Sequence, residues 1–218
     1  MARGRVHPGS LRGARSFSRR PGNRDARKLA LVVCEDGKLT PTYLRALCAH
    51  LRVSSASVSI PPNRGSAPIS VVDFAAERFR RDSGYDRAFC VIDRDGHESY
   101  ARAIARAEGY ASRENDRVPM RTIISDPCVE YWFLVHFEAV TRPMRNCDDV
   151  IHALRAHVPG YAHGSPQIIE ALLPLTDAAV RNARWVRREH ARSDAANPVT
   201  HMDELINYLK ALAQPLLA

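Results

Sequence analysis

Six consecutive apolar residues, Leu29 to Cys34 (LALVVC), followed at once by Glu35, Asp36 and Gly37, constrain this chain more than any other feature. A run that short, with no polar alternation, is the pattern of a strand buried on both faces, and such strands belong to parallel sheets. The pattern returns at Ala88 to Ile92 (AFCVI), with a short strand expected at Ala56 to Ile60 that Pro61 and Pro62 end, and Val118 to Ile124 reads as a fourth strand. Between these runs lie stretches with apolar residues at helical spacing: Pro41 to Leu51, Ser70 to Arg81 and Glu98 to Glu108. A strongly apolar helix is expected over Cys128 to Phe137, and Thr40 and Asp126, each followed by proline, read as helix N-caps. Strands alternating with helices imply an α/β fold with a mostly parallel sheet and right-handed crossovers. Residues 141–218 read as a mainly helical extension packed on the same core, with helices near 146–157, 166–190 and 200–217.

Open parallel sheets bind ligands beyond the C-terminal ends of their strands. Here those ends are acidic. The first buried run leads into Glu35 and Asp36, the third into Asp93-Arg94-Asp95-Gly96-His97, and the fourth into Ser125-Asp126. Carboxylates gathered at one crevice repel one another unless protons, cationic side chains or a metal compensate. A hard divalent cation such as Mg²⁺, with Mn²⁺ as the alternative, is the natural partner for oxygen ligands and for phosphate. Ordinary structural roles compete with this reading, since acidic residues also end strands and cap helices, and Asp36 fits a solvated turn.

The net charge of +8 is concentrated in one place. Residues 1–28 hold eight Arg and one Lys against one Asp, so the other 23 basic and 23 acidic groups balance. That basic segment, rich in Gly, Ser and Pro, reads as a flexible tail. It attracts polyanions through counterion release, although a solubilising leader or a targeting peptide has the same composition. No apolar run approaches the roughly 20 residues of a membrane span. The five cysteines (34, 48, 90, 128 and 147) show no C-x-x-C spacing, and the nine histidines lack a close ligand pair. Reduced thiols in a cytoplasmic protein are expected, without a disulfide framework or structural zinc.

Three segments resemble the RloB-like family. Val32 to Leu44 (VVCEDGKLTPTYL) is similar to a strand followed by C-E-G-x-x-T-E-P-x-Y, and Cys90 to His97 (CVIDRDGH) to a strand followed by D-x-D and often His. Ile124 to Phe137 (ISDPCVEYWFLVHF) is similar to I-S-x-P-x-F-E-x-W-x-x-x-H-F; a fourth and weaker segment, Asn197 to Tyr208 (NPVTHMDELINY), resembles a late N-P-x-T. The resemblance implies a Toprim-like (Rossmann-like) domain over residues 29–140. It implies that Glu35 is a metal ligand or general acid/base, that Asp93 and Asp95 bind Mg²⁺, and that Glu130 completes a catalytic set. Asp36, His97 and His136 are auxiliary candidates, with His136 read as a core histidine in preference to a catalytic one. The family pattern is broken at Asp36, Leu39 and Thr40, where it has Gly, Thr and Glu.

The activity that the resemblance implies is that of a Mg²⁺-dependent nuclease of a bacterial anti-phage or abortive-infection system, accompanied by an ABC- or AAA-type ATPase. Arg19 and Arg20 in the tail, with Arg64 and Arg94, are the candidate nucleic-acid contacts, and no aromatic-rich basic strand marks DNA over RNA. The alternative is a catalytically weakened sensor or partner subunit of such an ATPase. A phosphoacceptor receiver domain would also use Glu35-Asp36, Asp93 and Ser125. It needs a lysine after a fifth strand, and Lys28, Lys38 and Lys210 are not placed for that role.

Overall fold

The computed structural model describes residues 29–62, 65–82, 84–94, 96–113 and 117–213. Its first half alternates strand and helix: β1 (Ala30–Cys34), α1 (Leu39–His50), β2 (Val58–Ser59), α2 (Pro68–Arg81), β3 (Arg87–Asp93), α3 (Tyr100–Ser112) and β4 (Met120–Asp126). The second half holds α4 (Glu130–Leu134), α5 (Cys147–Leu154), α6 (Ile169–Leu172), α7 (Thr176–Ser193), β5 (Val199–Thr200) and α8 (Met202–Ala213). The protein is an α/β fold whose five strands run in the order β2-β1-β3-β4-β5. All pairings are parallel except that of β4 with β5, where Ser125 faces Thr200 and Asp126 faces Val199.

Period-two alternation divides β1 and β3 between two cores. Ala30, Val32, Cys34, Phe89 and Val91 face a large cluster with α1 and the C-terminal helices. Leu31, Val33, Ala88 and Cys90 face a smaller one with Val71, Val72, Ala75 and Ala76 of α2 and Ala103 and Ala107 of α3. Small residues let α2 and α3 pack closely on the sheet, and burial on both faces accounts for the absence of polar residues from β1. The C-terminal helices share the first core: Leu205, Ile206 and Leu209 of α8 are fully buried there.

Several expected elements take a different form. Helix α1 starts at Leu39, so Thr40 lies inside it; the Asp36 carboxylate accepts from the Lys38 and Thr40 amides and caps it from outside. The apolar stretch 128–137 is α-helical only over Glu130–Leu134, because its ends tighten into i→i+3 bonds such as Phe137 N–H to the Leu134 carbonyl. Asp126 does not cap that helix; its side chain binds Arg94 and Asn197. The helix expected over 166–190 is broken into short 3₁₀ and α pieces before α7, with Pro166 and Pro174 at the breaks. Strand β5, a two-residue edge, stands where the sequence pattern predicts the start of a helix.

The expectation of reduced thiols requires a correction as well. Cys128 and Cys147 form a disulfide, while Cys34, Cys48 and Cys90 are not disulfide-bonded. The two lie 19 positions apart in sequence, so local spacing gives no sign of the pair.

Candidate active site

The chain crosses from one side of β1 to the other between β2 and β3, which makes the gap between the ends of β1 and β3 the switch point where open α/β sheets bind ligands. Glu35 and Asp93 stand there. Register places them together: Cys34 pairs with Val91, the Glu35 amide continues the ladder to the Val91 carbonyl at 2.9 Å, and the Asp93 amide donates to Glu35 Oε2 at 3.1 Å. Both side chains are half-buried.

A cavity of about 260 Å³ opens beside them, lined by Asp36, Lys38, Asp93, Glu130 and His163 together with Gly37, Leu39, Val129 and Gly164. Burial pushes the Asp93 carboxyl well above the usual carboxylate range, and the charges of Glu35, Glu130 and Asp36 push it further; a hydrogen bond from the Val129 backbone works against this. A cation beside Asp93 would offset this burial and like-charge repulsion. Glu130 is 2% exposed. Its Oε1 lies 3.4 Å from the Tyr161 hydroxyl and the Gly164 amide and 3.3 Å from His163 Nδ1, and its Oε2 lies 3.3 Å from Cys147 Sγ.

The other candidates are placed as follows. Asp36 borders the cavity, but its carboxylate is engaged by the start of α1. His97 is exposed, with Nδ1 3.1 Å from the Ser99 amide. His136 is buried between Trp132, whose carbonyl lies 2.8 Å from Nδ1, and Tyr43, whose hydroxyl lies 3.4 Å from Nε2. Burial drives its pKa down to about 4, so the ring is neutral. Arg94 pairs with Asp126 at 3.2 Å and borders a neighbouring groove of about 470 Å³ with Arg145, Asn146 and Cys147. Asp95, Arg64, Arg19 and Arg20 lie outside the described residues. Lys38 and His163 line the cavity, and neither is among the residues that the sequence pattern singles out. Lys38 carries a usable signal, being a cation three residues after Glu35; His163 carries none, because it arrives from a distant loop.

A family model described as RloB-like protein matches residues 30–209. The chain belongs to the RloB-like family. Within this RloB-like chain the match runs from β1 to Leu209 in α8, so it takes in the sheet, the cavity and the C-terminal helices alike. No match was found among curated proteins or among solved structures. Among the described residues, no helix is long and apolar enough to cross a membrane.

Proposed function

We propose that this RloB-like protein is a Mg²⁺-dependent phosphodiester hydrolase acting on DNA or RNA through a Toprim-type site, in a bacterial anti-phage role. The observation that carries the reading is the meeting of Glu35 and Asp93 at the switch point, where like charges and burial raise the Asp93 carboxyl. The donor set fits the ion: Glu35 and Asp93 offer hard oxygen ligands in a site whose own charges repel, and Mg²⁺ characteristically takes one or two carboxylates beside water and phosphate oxygens. Glu35 and Asp93 would hold it; Asp95, which the resemblance adds to the ligand set, lies outside the described residues. When bound, Mg²⁺ lowers the pKa of an attacking water and stabilises the leaving oxygen.

The chain's own residues supply the rest. Lys38, on the rim, attracts the phosphate. Glu130 lines the same cavity and is the general-base candidate so long as no metal ion claims its carboxylate. At about 260 Å³ the cavity is below the usual size of a pocket for a drug-sized ligand, so a phosphate group enters while sugars and bases stay outside. Arg94 and Arg145 line the adjacent groove, and their charge would attract the rest of the strand there. An ABC- or AAA-type ATPase partner, as the resemblance implies, would gate access.

One observation favours the second reading, a catalytically weakened sensor or partner subunit. The family glutamate is Thr40 here, buried at 1% exposure, and the nearest replacement carboxylate, Asp36, is engaged as a helix cap. The decisive experiment incubates the purified full chain with labelled single-stranded DNA, duplex DNA and tRNA in Mg²⁺, Mn²⁺ or EDTA, beside the Glu35→Ala, Asp93→Ala double variant. Metal-dependent cleavage lost in the variant supports the hydrolase and names its substrate. Absence of both cleavage and Mg²⁺ binding sinks it in favour of the sensor.

A further inference from the structure

Beside the carboxylate pair lies a second group of ligands with different chemistry. Side-chain ligand atoms of Cys128, Glu130 and Cys147 all lie within 4.8 Å of one another. His163 joins them from the loop before α6, its Nδ1 3.3 Å from Glu130 Oε1 and 3.9 Å from Cys147 Sγ. We propose that Cys128, Cys147, Glu130 and His163 form a Zn²⁺ site when the Cys128–Cys147 disulfide is reduced, so that this corner of the fold alternates between a disulfide and a zinc thiolate.

The donor set is the first argument. Two thiolates, one carboxylate and one imidazole make four ligands of the types zinc prefers, enough for a closed tetrahedral shell. Thiolates are poor ligands for Mg²⁺, which takes oxygen, so the site selects a different ion from Glu35 and Asp93. The state of Glu130 is the second. Its carboxylate is almost wholly buried, yet its polar contacts all lie at 3.3–3.4 Å, longer than a charged hydrogen bond normally runs. While the disulfide is formed, Cys147 Sγ carries no proton, so its 3.3 Å approach to Oε2 is not a hydrogen bond. A buried carboxylate so weakly served calls for a cation. Tyr161 and Gly164 approach Oε1 and orient the group, which leaves Oε2 facing the sulfur, the division of labour that supporting contacts provide at metal ligands.

Geometry permits the exchange. Sulfurs on one tetrahedral zinc stand about 3.8 Å apart for Zn–S bonds near 2.3 Å. Side-chain rotation reaches that spacing from Cα atoms 5.6 Å apart. Cys147 begins α5 and Cys128 directly precedes the turn into α4, so neither is held in the middle of a helix. The reaction balances with a phosphine or dithiol reductant: the S–S bond takes two electrons and two protons to become two thiols. Zinc binding then forms two Zn–S bonds and releases two thiol protons to solvent. Glu130 borders both this site and the cavity at Asp93. The inference uses neither Glu35 nor Asp93 as a ligand and stands whether or not the protein cleaves nucleic acid.

The test uses the full chain in two states, oxidised and phosphine-reduced, each titrated with Zn²⁺ against a chromophoric chelator and, separately, with Co²⁺ followed by absorbance. The reduced chain is expected to bind one Zn²⁺ that excess Mg²⁺ does not displace, and its Co²⁺ form to show thiolate charge-transfer and tetrahedral d–d bands. The oxidised chain should bind zinc at least roughly 100-fold more weakly, having lost both thiolate ligands. Cys147→Ser should remove the thiolate band, and Cys48→Ser should leave binding unchanged. His163→Ala alters an exposed loop side chain, and is expected to weaken zinc roughly 10- to 100-fold while keeping the charge-transfer band. A reduced chain without a zinc equivalent overturns the proposal, as does a Co²⁺ form lacking the thiolate band or zinc affinity indifferent to His163→Ala.

Discussion

The Asp93 amide donates to Glu35 Oε2 at 3.1 Å, so the acidic residue ending one strand is held by the backbone of the residue ending the next. This contact ties the spacing of the two carboxylates to the parallel register of β1 and β3. It also makes Glu35→Gln the most informative single change, since the amide oxygen can still accept that bond while the charge is gone. Mg²⁺ affinity by calorimetry should fall at least roughly 10-fold, and any metal-dependent cleavage roughly 10² to 10⁴-fold, with the thermal midpoint nearly unchanged. An unchanged Mg²⁺ affinity would remove Glu35 from the ligand set.

Proton competition at Asp93 gives a second prediction. Its carboxyl is held above the ordinary range by burial and by Glu35, Glu130 and Asp36, so at mildly acidic pH protons compete with metal more effectively than at an ordinary aspartate. Mg²⁺ affinity should rise as the pH is raised from acidic to neutral, with proton release visible in calorimetry across buffers of different ionisation enthalpy. Asp93→Asn should abolish both the release and most of the affinity.

Asp36 is expected to behave differently from Glu35 despite adjoining it. Its carboxylate accepts from the Lys38 and Thr40 amides, so Asp36→Ala should cost about 1 kcal/mol in urea unfolding, the usual value of a lost helix cap. Asp36→Asn should recover most of that. A loss of Mg²⁺ affinity as large as that of Glu35→Gln would instead make Asp36 the replacement for the glutamate that Thr40 displaces.

His136 links stability to pH. Burial lowers its pKa from 6.5 to about 4, so as pH falls the unfolded chain takes up the proton first. The associated stability is fully present above about pH 6.5 and is lost as pH drops toward about 4, by about 3 kcal/mol. His201 is lowered in the same sense and Asp93 is shifted in the opposite one. The measurement is therefore the difference between the natural chain and His136→Gln in urea midpoints from about pH 7 to about pH 4.5. The two profiles should converge as pH falls; parallel profiles would show that His136 does not titrate in this range.

Asp203 anchors the C-terminal helices to the sheet edge. Its side chain is 1% exposed and takes both ends of the Arg187 guanidinium, at 2.5 and 2.8 Å, with Arg184 at 3.3 Å. Arg187 also donates to the Thr200 carbonyl on β5. Asp203→Ala would leave a partly buried guanidinium unpaired and should cost about 3 kcal/mol in chemical unfolding, whereas a loss below about 1 kcal/mol would show the pair to be solvent-screened.

Local pattern was enough to read a large part of this protein. Continuous apolar runs marked β1 and β3, because a strand covered on both faces has no position left for a polar residue, whereas β4 carries Arg121 and Thr122 within it. The carboxylates following them were legible for the same reason: a charged residue directly after such a run must stand at a strand end. Three-residue and four-residue spacing marked α1, α2 and α3 to within a few residues. Features that depend on segments far apart in the chain became visible only in three dimensions. Nothing near Cys128 announces Cys147, nothing near Glu130 announces Tyr161 or His163, and a two-residue strand such as β5 exists only because β4 offers an edge to pair with. Asp36 and Asp126 look alike as acidic residues at strand ends, yet one caps a helix and the other is held by Arg94 and Asn197. Periodicity records which face of an element is buried; which residues from distant segments meet there is set by how the elements pack.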